Sequence, residues 1–327
     1  MPNKTKKQHY VPRFYLKNFS NKNKDEFFIH CYDIDKKDSY PANIKNIGEE
    51  KDFYKIADEN YEEFFQKTEE WASPIINNLS KNGKIKSLNI VKNREKLSLF
   101  LAIQFLRTKE MREDLLETFS KISMHLQKHN LSKEMELLVE EIDEKNIKHN
   151  QMGFIGHGAL KMIDELLFKK WVVLKNKTEI DFLTSDNPVV LYNPHGFLGV
   201  ASEYIHIFYP INPKLCLCLL DPLNYSNFGE YKKFEGNEIS RNIRKTEKYQ
   251  INSIDDVNMI NDVQSKNATK HIFSKHNSFD RVSCLVKKGL IVPSEKRERV
   301  KFQVFKNPEN GNDIIVTSNP NNRVNFI

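Results

Sequence analysis

The stretch from Leu97 to Thr108 sets the strictest limit on the fold, because apolar residues occupy almost every side of it when it is drawn as a helix. No glycine or proline interrupts the chain between Asn89 and Lys121, and the apolar residues of that interval recur at helical spacing. A helix that is apolar all round is surrounded by other elements. The sequence therefore predicts a single helix from about Asn89 to Lys121 at the centre of the protein.

The rest of the first half is also predicted to be mainly helical. Apolar periodicity predicts further helices over about Tyr61 to Leu79, Ser132 to Lys145 and Gln151 to Leu167. Pro74 lies inside the first of these, where its ring and its missing N–H predict a kink or a division into two helices.

The second half changes character, because short runs of β-branched and aromatic residues alternate with polar turns. The predicted strands are Trp171 to Lys175, Ile180 to Thr184, Pro188 to Tyr192, Tyr204 to Tyr209 and Lys214 to Leu220. A helix over about Ile254 to Phe273, capped by Ser253, is expected next, followed by strands near Val282 to Lys287 and Val300 to Phe305.

Together these elements predict an α+β fold, in which a helical N-terminal half packs on an antiparallel sheet from the C-terminal half. We expect residues 1–276 to form a single domain, with residues 277–327 as C-terminal strands or an extension packed on it. At 327 residues the chain can build a sizeable core without metals or disulfides.

The cysteines and the apolar runs indicate a reduced, cytoplasmic protein without a membrane span. None of the four cysteines has the paired spacing of a metal site, and Cys216 and Cys218 lie two apart in an apolar run, where a strand points both to one face. The apolar runs are far shorter than the roughly 20 residues that span a bilayer. The N-terminus lacks the unbroken apolar core of a secretory signal.

The charge balance is mildly basic. The 51 Lys and Arg residues exceed the 44 Asp and Glu residues, which gives a formal net charge of +7. An excess of this sign fits an anionic partner such as nucleic acid or another phosphate-bearing ligand. A general abundance of Lys, Asn and Ile is an alternative source of the same excess.

The opening segment, from Gln8 to Phe19, is unusual for a chain terminus because it sets four aromatic rings, a proline and a histidine among basic residues. It is expected to dock on the protein body. His9 is the best candidate for a general acid or base, since an ordinary histidine pKa lies near 6.5. Tyr10 and Arg13 supply stacking and positive charge beside it. A surface or packing role for His9 is the alternative, and His157 is a second candidate.

Two further groups of polar residues accompany the opening segment. Gln104, Arg107 and Thr108 share one face of the predicted central helix, and a buried guanidinium requires an acid or an anionic ligand. The turn from Thr184 to Pro188 carries Asp186, which we expect to pair with Arg107 or His9. An internal salt bridge and a simple polar turn are the corresponding structural alternatives.

No cofactor motif accompanies these residues. The sequence has no phosphate-binding glycine loop, dinucleotide fingerprint, metalloprotease helix or nucleophile elbow, and it lacks the paired Cys and His spacing of structural zinc. We therefore expect a site that uses neither a cofactor nor a metal ion.

The motifs themselves resemble those of domain-of-unknown-function family 4238, a group of mostly bacterial proteins. The resemblance is carried by Gln8 to Pro12 with Phe14, Tyr15, Leu16 and Phe19, by Gln104 to Thr108, by Thr184 to Pro188, and by Asn261 through Ala268 to Ile272 and Phe273. It covers about residues 5 to 276 and implies that the three polar groups belong to one domain. The family has no settled activity, so the resemblance implies no reaction.

We predict from the chemistry of these groups a metal-independent nuclease that acts on RNA and serves as a toxin or an anti-phage effector. The catalytic candidates are His9, Arg107 and Asp186, and the candidates for substrate binding are Gln8, Tyr10, Arg13, Gln104, Thr108 and Asn187. One alternative is a module that binds nucleic acid or a nucleotide without reaction. The other is a purely structural polar core, in which Arg107 pairs with Asp186.

Overall fold

The computed structural model describes residues 7–56, 59–127, 147–196, 199–222, 245–299, 301–306 and 313–318. Its α-helices are α1 (Arg13–Leu16), α2 (Glu62–Asn82), α3 (Val91–Leu106), α4 (Lys109–Gln127), α5 (Ile147–Phe168), α6 (Ile254–Lys266) and α7 (Asp280–Lys287). Its strands are β1 (Lys7–His9), β2 (Asn21–Asn23), β3 (Glu26–Asp33), β4 (Asp38–Asn43), β5 (Glu49–Lys51), β6 (Lys55–Ile56), β7 (Glu59–Asn60), β8 (Lys170–Asn176), β9 (Thr184–Ser185), β10 (Val190–Tyr192), β11 (His206–Asn212), β12 (Leu215–Leu220), β13 (Glu247–Ile251), β14 (His271–Ser274), β15 (Lys301–Lys306) and β16 (Asp313–Ser318).

A five-stranded sheet from the second half forms the middle of the protein. Its order is β10-β11-β12-β8-β13, and its first four strands are antiparallel to their neighbours. Strand β13 is parallel to β8, with Glu247 opposite Val172. The sheet is therefore mixed rather than wholly antiparallel as predicted, because residues 245–251 return to the β8 edge in the same direction as β8.

Both faces of this sheet are buried. Trp171 and Val173 pack in one core with residues of α2, α3 and α5, whereas Val172 and Leu174 pack in a second core with residues of α6. Alternate residues of a strand point to opposite faces, so each strand supplies both cores. Cys216 and Cys218 both lie in the second core, which confirms the prediction that they share a face.

A second sheet joins the two halves of the chain. Its order is β2-β3-β14-β9, with β4 paired to the other side of β3. Strand β14 lies between β3, from the first half, and β9, from the second half. The fold is thus mixed α and β as predicted, but the division into a helical half and a sheet half is only partly correct, because strands from near the N-terminus complete this sheet.

The central helix is in the predicted place but ends earlier than expected. Helix α3 stops at Leu106, and Arg107 adopts φ −87° and ψ 0°, outside the helical region. The Thr108 side-chain oxygen then accepts a hydrogen bond from the Met111 backbone N–H at 3.3 Å, which starts α4. Two helices therefore replace the single helix predicted from Asn89 to Lys121.

Other boundaries also differ from those predicted. Pro74 lies within one continuous helix, α2, so the predicted division into two helices is wrong, whereas the kink stays a prediction. Helix α6 begins at the predicted cap, Ser253, but it ends at Lys266, and His271–Ser274 form a strand instead. The segment near Val282 to Lys287 is helical rather than extended.

The predicted strand from Ile180 to Thr184 is reduced to β9, which begins at Thr184. The helix predicted over Ser132 to Lys145 lies outside the described residues. Across the helices that are described, none combines the length and the apolar character needed to cross a bilayer.

Candidate functional site

The opening segment is docked on the protein through Gly48. The backbone N–H groups of Tyr10 and Val11 both donate to the Gly48 carbonyl oxygen, at 2.9 and 3.1 Å. Gly48 has φ 60°, in the left-handed region that favours glycine. A Cβ atom at this position would lie 2.9 Å from Cβ of Val11. Strand β1 also pairs with β5, which sets His9 opposite Glu49 and fixes the segment in register.

Gln8 and Tyr10 both have partners inside the protein. Gln8 Oε1 accepts a hydrogen bond from the Tyr54 backbone N–H at 2.6 Å. The Tyr10 ring packs against that of Phe53 with 5.0 Å between centroids, and its carbonyl oxygen accepts from Gln104 Nε2 at 2.9 Å. These three predicted substrate contacts, Gln8, Tyr10 and Gln104, thus hold the opening segment against Phe53, Tyr54 and α3.

Tyr15 joins the opening segment to the second half of the chain. Its buried hydroxyl donates to the Pro210 carbonyl oxygen at 2.8 Å and lies 2.6 Å from the Thr184 hydroxyl oxygen. Its ring stacks on Tyr209 with 4.8 Å between centroids. The opening segment therefore touches both other motifs, through Gln104 and through Thr184.

Arg107 is fully buried in the core. Its Nε and Nη2 atoms donate to Gln104 Oε1 at 3.0 and 2.6 Å, and its Nη1 atom donates to Glu69 Oε1 at 2.9 Å. The guanidinium also lies over the Phe65 ring, 5.3 Å from the centroid. The expected pairing with Asp186 is wrong, because Glu69 supplies the required acid. With no exposed surface, Arg107 is a buried cation that protein groups satisfy.

A second buried arginine, Arg112, stabilises the junction between α3 and α4 through Gln151. Arg112 Nε donates to Gln151 Oε1 at 2.8 Å, and its Nη2 atom donates to the Phe53 carbonyl oxygen at 3.0 Å. Gln151 Nε2 donates in turn to the carbonyl oxygens of Leu106 and Thr108, at 2.9 and 3.1 Å. These bonds satisfy carbonyl groups that the end of α3 leaves open.

The Asp186 carboxylate binds the segment that links α6 to β14. Its Oδ1 atom accepts from the backbone N–H of Thr269, and its Oδ2 atom accepts from those of Lys270 and His271, each at 2.8 Å. Burial raises the pKa of this carboxyl group, while the His271 charge and the three N–H donors act in the opposite direction. The His271 ring, rather than that of His9, approaches the carboxylate, with Nδ1 4.0 Å from Oδ2.

Asn187 is hydrogen-bonded to the C-terminal end of α6. Its side-chain Nδ2 atom donates to the Asn267 backbone carbonyl oxygen at 3.0 Å, and the Asn187 backbone carbonyl oxygen accepts from Gln264 Nε2 at 2.7 Å. Gln264 Nε2 also lies 2.6 Å from Ser185 Oγ. The Oδ1 atom of Asn187 is buried and has no hydrogen-bond partner in the described part of the chain.

His9 is partly exposed and, like Asn187, has an unused polar atom. Its Nε2 atom is buried and lacks a hydrogen-bond partner among the described residues. Burial and the positive charge of Arg13 lower the pKa of the His9 ring, against the opposing charge of Glu49 and the backbone oxygens of Ile44 and Lys45. The ring is therefore mainly neutral at pH 7.

Arg13 and His157, the remaining basic candidates, are both exposed. Within the described structure the Arg13 guanidinium forms no hydrogen bond or ion pair. The His157 ring instead meets its own helix, with Nδ1 3.2 Å from the Gly153 carbonyl oxygen. Arg13 thus leaves a free cation beside His9, whereas His157 has no neighbouring motif.

The three motifs converge, but their proposed catalytic side chains do not form one cluster. No hydrogen bond or ion pair joins His9, Arg107 and Asp186 to one another in the part of the chain that is described. Thr108 and Asn187 both line a cavity of about 200 Å³ between α4 and β10. His9 and Arg13 do not line this cavity.

Sequence reasoning missed residues that complete these networks. Glu69 is one of several glutamates on its predicted helix, and nothing in its spacing distinguishes it. Asn261 and Gln264 carried a usable signal, because polar residues three apart on an apolar helix face share one side. Asn261 Oδ1 accepts from the Leu183 backbone N–H at 2.8 Å, and its Nδ2 atom donates to the Asp181 carbonyl oxygen at 2.8 Å.

Among the described residues, no group of three or more His, Cys, Asp or Glu side chains is arranged to hold a metal ion. No curated protein and no solved structure matches the chain. A family model described as "Protein of unknown function (DUF4238)" does match it over residues 7–278, which include all three motifs. The chain therefore belongs to the DUF4238 family, as its motifs indicate.

Proposed function

We propose that this protein is a metal-independent ribonuclease whose reacting groups are His9 and Arg13. The observation that carries the proposal is the state of His9, which combines a lowered pKa, an unpartnered Nε2 atom and a neighbouring free cation. A neutral imidazole with an unused nitrogen can accept a proton at pH 7. A buried nitrogen without a partner also costs free energy that a substrate hydroxyl would recover.

The proposed reaction uses the nucleophile that RNA itself supplies. His9 Nε2 takes the proton of a ribose 2′-hydroxyl, the 2′ oxygen attacks the adjacent phosphorus, and the bond from phosphorus to the 5′ oxygen breaks. Water protonates the departing 5′ oxygen, and the other product carries a 2′,3′-cyclic phosphate. Because Nε2 is buried in the free protein, the His9 side chain must rotate to present it to the 2′-hydroxyl, and flexible single-stranded RNA rather than a rigid duplex is the expected substrate.

Arg13 takes the phosphate-binding role that the sequence suggested for Arg107. An exposed guanidinium without an acid partner can offer two N–H groups to a phosphate, and it stabilises the charge that develops in the transition state. Arg107 and Asp186 have their hydrogen bonds met by protein groups, so in this proposal they do not contact RNA: Arg107 holds Gln104 against the opening segment, and Asp186 holds the backbone of Thr269 to His271. Their arrangement favours the structural interpretation for those two residues alone.

The biological role follows from the reaction. A ribonuclease that needs no metal ion would degrade cellular or phage transcripts in the bacterial cytoplasm, which is the behaviour of a toxin or an anti-phage effector. The net charge of +7 supports binding to a polyanion.

The test is cleavage of labelled single-stranded RNA in EDTA, with a matched DNA as a negative control. We expect the wild-type protein to cut RNA and leave DNA intact, and His9→Gln to lose about 10²- to 10⁴-fold in rate with unchanged folding. His157→Gln, the same change at an exposed histidine, should cut normally. Arg13→Met should lose activity, whereas Arg281→Met, at another exposed arginine, should not.

The same experiment decides between the proposal and its alternatives. RNA binding without cleavage by the wild-type protein would support the non-catalytic module. Neither binding nor cleavage would leave only the structural interpretation. Equal cleavage by the wild-type protein and His9→Gln would remove His9 from the mechanism.

A further inference from the structure

Three lysines lie on one face of the central sheet, near the C-terminal end of β8. Lys175 comes two residues after Val173 on that strand, so the two side chains point to the same face. Lys248 of β13 lies directly opposite Val173, which places it diagonally across from Lys175. The Lys177 backbone N–H donates to the Ile251 carbonyl oxygen at 2.9 Å, so the pairing with β13 continues just beyond β8.

The ammonium group of Lys248 is held in place by α2. Its Nζ atom donates to the carbonyl oxygen of Gly83, the residue that caps the helix, at 3.1 Å. The carbonyl end of a helix carries a partial negative charge, which attracts a cation. A Cβ atom on Gly83 would lie 3.0 Å from the same Nζ atom, so the helix end and the lysine are in close contact. One of the three charges therefore has a fixed position.

The other two ammonium groups repel each other. The side chains of Lys175 and Lys177 are within hydrogen-bonding reach, and the Lys175 charge lowers the pKa of Lys177, with a further contribution from Lys248. Within the described part of the chain, neither Lys175 nor Lys177 has an acidic partner. Lys170, at the other end of β8, shows the usual arrangement, since its Nζ atom lies 2.6 Å from Glu247 Oε1.

This repulsion indicates what is missing from the lysine group. Two cations in contact cost free energy, and an anion placed between them turns that cost into attraction. Ammonium groups donate hydrogen bonds and accept none, so the anion must supply acceptors only. Lys177 and Lys248 are exposed, so a hydrated and strongly charged ligand can reach them.

A terminal phosphate group has the matching chemistry. It carries a charge of about −1.5 to −2 at pH 7 and three acceptor oxygens, one for each ammonium group. A phosphate inside a nucleic-acid chain carries a single charge and has two free oxygens, so it satisfies fewer of the three donors. The convergence of the lysines thus favours a phosphomonoester over a phosphodiester.

We propose that Lys175, Lys177 and Lys248 form a binding site for a phosphomonoester, with its terminal phosphate between the three ammonium groups. A free nucleotide and the phosphorylated end of an RNA chain both supply this group. The site goes beyond the proposed ribonuclease centre, because its lysines belong to the central sheet and its edge and not to the opening segment that carries His9 and Arg13.

The test is calorimetric titration of the full chain at pH 7.5 with adenosine 5′-monophosphate and with adenosine 3′,5′-cyclic monophosphate. The two ligands share a base and a sugar, but only the first has a terminal phosphate. We expect the monoester to bind at least tenfold more tightly than the cyclic diester. Equal binding of the two, or no binding of either, would overturn the proposal. Neither ligand is a substrate of the proposed ribonuclease, so this result is independent of that activity.

Variants then locate the binding. Replacing Lys175 and Lys177 together by glutamine removes a repulsion, so the variant should fold, and it should bind the monoester at least tenfold more weakly. The matched control replaces Lys287 and Lys288, two adjacent exposed lysines at the end of α7, and changes the net charge equally. The control should bind as the wild type does. An equal loss in both variants would overturn the proposal, since net charge alone would then explain the binding.

A second pair of ligands identifies the source of the phosphate. Short 2′-O-methyl oligoadenylates with and without a 5′-phosphate cannot react by the proposed mechanism, because their 2′ oxygens are blocked. If the phosphorylated oligonucleotide binds more tightly than the free nucleotide, the site takes an RNA end, and the reverse order assigns it to a nucleotide. Equal binding of the phosphorylated and unphosphorylated oligonucleotides would overturn the proposal, since the lysines would then recognise the phosphodiester backbone.

Discussion

Asp186→Asn separates a structural carboxylate from a catalytic one. In the folded protein the two carboxylate oxygens accept three backbone N–H groups, one on Oδ1 and two on Oδ2. Asparagine keeps one oxygen, so its amide can serve the two donors at Oδ2 but must turn its NH₂ group toward the Thr269 N–H. One buried donor then loses its partner, which costs about 1–3 kcal/mol.

A second effect sets the net magnitude. Burial raises the pKa of Asp186, which means that the ionised form is penalised in the core, and a neutral amide is spared that penalty. The two remaining bonds lose their charge assistance, and this weakens them. Since these two effects oppose each other, we expect the unfolding free energy to fall by about 2 kcal/mol, near the middle of the range for one orphaned donor.

Urea unfolding followed by tryptophan fluorescence is a suitable assay, because Trp171 is fully buried in the central sheet. The matched control is Asp262→Asn, which breaks a surface pair with Arg281 and should change stability by less than about 1 kcal/mol. An Asp186→Asn protein within about 0.5 kcal/mol of wild type, yet inactive on RNA, would refute the structural role and restore Asp186 as a catalytic acid.

Two more stability predictions follow from the docking of the opening segment. Gly48→Ala should destabilise the protein by about 2–4 kcal/mol, because it adds a steric clash to the cost of a positive φ, while Gly289→Ala, with φ 69° and open space around it, should cost only about 1 kcal/mol in the same urea assay. Equal effects would mean that the contact at Gly48 is unimportant. Tyr15→Phe should cost about 1–3 kcal/mol through its lost bonds with Thr184 and the Pro210 carbonyl oxygen, whereas Tyr209→Phe removes a hydroxyl that has no partner among the described residues and should be close to neutral; the reverse order would contradict the described hydrogen bonding.

The central helix illustrates what periodicity can and cannot predict. Its apolar surface from Leu97 to Leu106 located the core correctly, because burial on all sides requires apolar residues on all sides. The break at Thr108 was not predicted, since threonine is compatible with a helix interior. It depends on carbonyl groups that Gln151, 43 residues away in sequence, satisfies from another helix.

The C-terminal errors have a related cause. Residues Val282 to Lys287 read equally well as a strand or a short helix, because a brief apolar run fits both periods. The final part of the predicted helix from Ile254 to Phe273 became strand β14, which pairs with β3 more than 200 residues away. Long-range pairing of this kind overrides local propensity and is not visible in a local pattern.

The candidate site was predicted in part for the same reason. The sequence identified three motifs, and the structure brings them together through Tyr10 with Gln104 and through Tyr15 with Thr184. The sequence could not assign the hydrogen-bond partners of the motif residues. Many acidic residues could have paired with Arg107, and in the structure it pairs with Glu69. The charge of a residue is local information, whereas the identity of its partner is a property of the fold.

The most direct test of the His9 and Arg13 centre is the acid limb of the pH dependence of kcat/KM for RNA cleavage, which reports the pKa of the free enzyme's base. In the wild-type protein this limb should lie below 6.5, because burial and the Arg13 charge lower the pKa of His9. Arg13→Met should move it upward by removing a repelling charge, and Glu49→Gln should move it downward by removing an attracting one. Opposite shifts in these two variants are the predicted result, and a limb that stays in place in both would contradict the assignment of His9 as the base.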